Sequence, residues 1–207
     1  MGSQHAIMVG ARALGLGLAS LISLSVAVAM DGTTTAVSLD PQAENVAVAK
    51  LSYGINEFYP RASSRHWVVI RSHRENFNAH DMDVFSIYST SITGGPSFEI
   101  VGALERGVES EVFKSSGGAD CKTNDIRILV GKDGDIVRLI AASRPLGKSY
   151  IDEQQVRFKT YELRRNESKT PGRPPLYFEL INIRGSKKVY CDVTTAFLDE
   201  LRLGGYD

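Results

Sequence analysis

Residues His73 to Met82 read HRENFNAHDM, which crowds histidines, an arginine, asparagines and acids into one short run. Three chemistries deserve weighing there. The first is metal binding, because His73, His80, Asp81 and Asp83 supply the nitrogen and oxygen ligands that zinc accepts. Their spacing matches neither H-E-x-x-H nor H-x-H-x-D, and Arg74 beside them opposes a bare cation, so no metal ligand is assigned. A metal-dependent hydrolase or metal-binding protein using His73 and His80 stays as the alternative. The second is recognition of a carboxylate or polar ligand, for which arginine, histidine and asparagine at a strand edge are well suited. On that reading His73, Arg74, Asn76, Asn78 and His80 form the contact surface, with Arg164 and Arg173 as anion partners from other connections. Arg144 and Arg165 lie in further connections that could converge on the same place. The third is a plain connection in which asparagine and aspartate side chains bond nearby backbone groups, as in a structural envelope module.

Other enzyme signatures are missing from the chain. There is no G-x-S-x-G elbow and no serine three residues before a lysine, which removes the serine hydrolase and S-x-x-K patterns. No phosphate-binding or dinucleotide-binding glycine pattern occurs. The glycine-rich SSGGADC segment lacks the lysine and helix of a phosphate loop, and GKDGD lacks the later bidentate acid of a calcium loop. The expectation is therefore a non-enzymatic protein without a cofactor.

The elements that must position these residues follow from composition and periodicity. Arg12 precedes the apolar run Ala13 to Ala29, which ends in Ala27-Val28-Ala29, a small-x-small pattern. This reads as a secretory signal over residues 1–29 with cleavage near Met30. The run is shorter than the ~20 apolar residues of a membrane span, so no stable membrane insertion is expected after cleavage. Residues 30–46 read as a flexible polar leader, and residues 47–207 as a single β-rich domain. The chain of 207 residues balances 24 basic against 24 acidic side chains, which argues against a nucleic-acid partner.

Strand patterns recur through this domain. HWVVIRSH (66–73) and MDVFSIYST (82–90) are rich in β-branched and aromatic residues, and SFEIVGAL and VESEVF alternate apolar with polar positions. DIRILVG and DIVRLIAAS flank Asp133-Gly134, a tight-turn signal. QVRFKTYELRR and PLYFELINI form a second hairpin across the turn-rich NESKTPGRPP. DVTTAFLDELRL reads as a short C-terminal amphipathic helix with Asp192 as its N-cap and Gly204-Gly205 after it. Behind a signal peptide, Cys121 and Cys191 most simply form one disulfide. The expected fold is mainly β, an antiparallel sheet or β-sandwich with one short C-terminal helix and one disulfide.

With these residues in view, HRENFNAHDMD, SGGADC, YELRRNE, GRPPLYFEL and YCDV resemble the carbapenem intrinsic-resistance (CarG-like) family of secreted bacterial proteins. The resemblance runs from about His66 to Phe197. It implies a periplasmic protein that protects a carbapenem producer from its own β-lactam by binding or protection rather than drug breakdown. The partner would be the carbapenem or an envelope protein; the oligomeric state stays open. The matching positions include His73, Arg74, Asn76, Asn78, His80, Asp120, Arg164 and Arg173. Two departures stand out: FYPRASSRHW replaces an Asp/Gly-rich loop, and Pro145 stands where an acid is expected.

Overall fold

The strands form where apolar residues recur on one or both faces, and hydrogen bonding joins them into one twelve-stranded sheet. The computed structural model describes residues 45–61, 65–91, 97–118 and 121–206. The expected signal segment, the leader up to residue 44 and Asp120 lie outside the described residues. In chain order the strands are β1 (Ala47–Val48), β2 (Gly54–Phe58), β3 (Arg65–Arg74), β4 (Met82–Ser91), β5 (Glu99–Ile100), β6 (Ala103–Glu105) and β7 (Val108–Ser110). They continue as β8 (Val112–Gly117), β9 (Lys122–Val130), β10 (Ile136–Ser143), β11 (Gln154–Arg165) and β12 (Leu176–Tyr190), followed by helix α1 (Val193–Leu201).

The main path runs β2-β3-β4-β8-β9-β10-β11-β12-β6-β7, with β1 added beside β9 and β5 beside β4. All pairings are antiparallel except β12 with β6, so the sheet is mixed. The SFEIVGAL segment, expected as one strand, divides between two neighbours. Val101 N donates to Ile87 O on β4 at 2.8 Å, whereas Gly102 O accepts from Phe178 N on β12 at 2.8 Å. Crossing from β4 to β12 within two residues closes the hydrogen-bonded path on itself. Gly102 permits the crossing, since a Cβ there would meet the Ser110 carbonyl at 2.8 Å. VESEVF likewise divides into β7 and β8. Its valines are expected on an apolar face, yet Val108, on the edge strand β7, and Val112, at the start of β8, are both exposed.

Side chains alternate across a strand, and this sorts the core into two clusters. Trp67, Val69, Phe85, Ile87, Ile126, Ile128, Leu139 and Phe178 fill one side. Leu129, Ile140, Ala142, Val156 and Phe158 pack on the other against Val193, Ala196, Phe197 and Leu201 of the helix. With both faces covered, the central strands read as nearly continuous apolar runs. Each fully buried large side chain contributes about 1.5–3 kcal/mol of transfer free energy.

The remaining expectations for the elements hold with adjusted ends. The turn between β9 and β10 places Gly134 at φ +86°, with Gly134 N donating to Gly131 O at 2.9 Å. In the β11–β12 connection Asn166 holds the loop, its amide donating to Thr170 O and Arg173 O at 3.0 Å each. Helix α1 starts on Asp192, whose carboxylate accepts from Thr194 N at 2.6 Å. It ends at Arg202, not at the glycine pair: Arg202 takes φ 58° and Leu203 N closes the cap on Phe197 O at 3.2 Å. Cys121 and Cys191 are joined, with Cα atoms 5.6 Å apart.

Candidate functional site

The strand pattern of β3 runs Trp67, Val69, Arg71 on one face, and β4 runs Asp83, Phe85, Ile87 on the same side. The polar members of these apolar stripes therefore meet at one end of the hairpin. Arg71 is 5 % exposed and reaches Oδ2 of Asp83 through Nε at 3.1 Å and Nη2 at 3.0 Å. Its Nη1 donates to Leu51 O at 2.9 Å. The guanidinium lies between two rings, 4.1 Å from the Tyr53 centroid and 4.5 Å from that of Tyr206. The Tyr53 hydroxyl donates to the same carboxylate at 3.2 Å. Desolvation first, then the Asp83 charge, pushes the Tyr53 phenol up from its ordinary value.

His73 completes this group. Its Nδ1 stands 3.1 Å from Asp83 Oδ1, and its Nε2 stands 3.6 Å from Asp81 and 3.9 Å from Glu75. The hydrogen bond to Asp83 is the main cause that raises the His73 pKa, with the charges of Asp81, Asp83 and Glu75 acting in the same direction against desolvation.

His80, its expected companion, does something else. It stacks on Tyr150 at 4.2 Å between centroids, and its Nδ1 lies 3.4 Å from Gly117 O. The loop between them is braced by its own side chains: Asn76 Nδ2 donates to His80 O at 2.5 Å, His80 N to Asn78 Oδ1 at 2.8 Å, and Phe77 N to Glu75 Oε1 at 2.7 Å. At its tip Phe77 is 95 % exposed with φ 56°. Arg74 is exposed at the end of β3. Among the described residues no group of three His, Cys, Asp or Glu side chains could hold a metal. The two histidines serve different partners, which removes the geometry of a His73/His80 metal site.

Beside this loop lies a cleft of about 560 Å³, walled by Tyr53, Asn78, Asp81, Asp83, Ser115 and Lys122 among others. Of the described residues singled out in the sequence for recognition, only Asn78 lines it directly. Arg164 and Arg173 do not join it. The register carries Met82 to Ser116, Ser116 to Asn124, Asn124 to Ser143, and Ser143 to Arg157. Arg164 stands a further seven residues along β11, about 20 Å away at ~3.3 Å per residue. There it pairs with Glu162 at 2.7 Å and Glu179 at 3.2 Å, while Arg173 reaches Tyr177 Oη at 3.4 Å. Convergence of these arginines on the loop is thereby corrected. Arg144 does approach it indirectly: it donates to Tyr150 O, and Tyr150 carries His80.

The residues that sequence reasoning passed over are Arg71, Tyr53 and Lys122, and Asp83 in its true role. A signal for Arg71 and Asp83 was present, since each interrupts an otherwise apolar period-two stripe.

These features define a mainly β, disulfide-bonded fold with a braced polar loop beside a cleft. Neither a family model nor a curated protein matches the sequence. A solved crystal structure of CarG is similar in fold, with a TM-score of 0.61 and 15 % identity, covering 74 % of this chain and 94 % of that one. At that identity the likeness concerns the fold alone.

Proposed function

We propose that this chain is a secreted, periplasmic protein that protects its cell against carbapenem β-lactams by binding rather than by breaking the drug down. The observation that carries this reading is the fold likeness to CarG across nearly all of that chain. The order of the family-like segments and the apolar run at residues 13–29 support it. The site is consistent with binding. Asp83 is occupied by Arg71, Tyr53 and His73, so its role is to anchor the loop, and the loop and cleft present the surface a partner would meet. That partner is the carbapenem or an envelope protein.

The test is expression of the whole chain in a carbapenem-sensitive Gram-negative host, together with drug absorbance in the presence of purified protein. A raised inhibitory concentration with unchanged absorbance is expected. Unaltered sensitivity, or loss of the β-lactam chromophore, overturns the proposal.

A further inference from the structure

Three arginines are buried among the described residues: Arg71, Arg127 and Arg144, at 5 %, 0 % and 6 % exposure. Two carry their own aspartate. Arg71 pairs with Asp83 at 3.0 Å and Arg127 with Asp125 at 2.6 Å. Arg144 has only carbonyl dipoles: it donates to Cys191 O, to Tyr150 O, and to Pro145 O at 2.8 Å. Among the described residues no carboxylate stands within ion-pair distance of it. Removing a guanidinium from water without a counter-charge is costly, and carbonyl oxygens supply no net charge to offset it.

Arg144 lines a cavity of about 530 Å³ together with Ser143, Gln155, Arg157, Ile183 and Arg184. Among the described residues no acidic side chain lines it. Arg184 donates through Nη2 to Glu200 O at 2.9 Å, but its buried Nε has no hydrogen-bond partner. Two acids on neighbouring segments are engaged elsewhere, while Glu153 is exposed beside Gln154. Asp152 accepts from Lys148 N and Ser149 N, and Glu200 from Lys187 N, Lys188 N and the Tyr190 hydroxyl. The cavity sits where the β11–β12 register shifts between Gln155 and Arg157, with Gly185 opposite Arg157. A Cβ on Gly185 would meet Gln155 Nε2 at 2.9 Å, so glycine keeps this corner clear.

We propose that this cavity is an anion site for a small organic carboxylate, held by Arg144 and Arg157 with its apolar part against Ile183. Its volume falls within the ~300–1,000 Å³ usual for small-molecule sites. The site stands independently of the protective role and lies apart from the His73 cleft.

Arg144 also ties Tyr150 and Cys191 in place, so its loss threatens folding. Arg157 is exposed and makes no ion pair among the described residues, which makes Arg157→Gln the cleaner variant. The experiment titrates the folded, disulfide-bonded protein with benzoate, its neutral analogue benzamide and inorganic phosphate, following the arginine Nε–H signals by NMR. Saturable shifts with benzoate, none with benzamide, and at least about tenfold weaker binding in Arg157→Gln are expected, since charge-assisted bonds are the strong ones. Absence of saturation, equal binding of benzamide, an unaffected Arg157→Gln protein, or phosphate binding more tightly than benzoate would each overturn the proposal.

Discussion

His73 and Asp83 face each other across the β3–β4 ladder, and a 3.1 Å bond between them ties the exposed loop to a buried ion pair. Through this one carboxylate, the charge on a surface histidine is coupled to Arg71 and to the cleft wall.

The coupling has a pH signature. The His73 pKa is raised above its ordinary 6.5 by the Asp83 hydrogen bond and the acids around it. A histidine raised in the folded state stabilises most where it is protonated. Its contribution is complete below pH 6.5 and is lost as pH climbs through the raised value. Thermal midpoints of the parent and His73→Gln should therefore differ more in mildly acidic than in alkaline buffer. Equal differences across the range would show that the ring is not coupled to the fold.

Asp83→Asn tests the other side of the relationship. It removes the Asp83 charge that faces Arg71, whose guanidinium stays buried between Tyr53 and Tyr206. Breaking a buried pair in this way costs about 3–5 kcal/mol. Tyr53→Phe removes one of several hydrogen bonds to the same carboxylate and should cost about 1 kcal/mol. Urea denaturation of the two variants separates these outcomes.

Much of the fold was legible because it rests on local signals. The Asp133-Gly134 turn, the Asp192 cap and the two hairpins each declare themselves within a dozen residues. What was hidden depends on long-range pairing. The division of Glu99–Glu105 between β4 and β12 follows from closure of the sheet, which no alternation within the segment reveals. The same holds for the site. HRENFNAHDM announced a polar loop, but whether Arg164 reaches it depends on register summed over five strands. Arg71 and Asp83 were readable as polar breaks in apolar stripes, yet their pairing across the hairpin needed the observed register.

The turn under His80 should distinguish two adjacent glycines. A Cβ on Gly118 would sit 3.2 Å from His80 Cε1 and 3.3 Å from Tyr150 Cγ, both side-chain ring atoms rather than backbone. A Cβ on Gly117 would instead collide with the Cys121 carbonyl and Lys122 Cα, which are backbone. Gly118→Ala is expected to cost about 1 kcal/mol and Gly117→Ala roughly 3 kcal/mol or more, the lower and upper parts of the overpacking range. Denaturation midpoints check the ranking.

The disulfide closes a separation of 70 residues, and beside it Lys122 N donates to the helix-capping Asp192 at 3.3 Å. Replacing both cysteines by serine should cost up to about 4.4 kcal/mol, the loop-entropy scale for this length. Because the helix packs on Leu129, Ile140 and Phe158, its far-UV signal should survive in the folded variant. A stability loss under about 1 kcal/mol would show that the capping bond and packing already constrain the segment.

Phe77 offers a separation of stability from recognition. A phenylalanine at φ 56° bears the steric cost of the left-handed region, about 1–2 kcal/mol, while its 95 % exposed ring gains little from packing. Asparagine visits this region readily and retains the backbone N–H that bonds Glu75. Phe77→Asn should therefore leave stability unchanged or raise it by up to about 1 kcal/mol, measured by urea denaturation. Under the proposed protective role, the same substitution removes the aromatic surface a partner would meet. Protection in the carbapenem-sensitive host should then fall although the protein is no less stable. Full protection by Phe77→Asn would exclude the ring from recognition and leave the cleft walls as the contact surface.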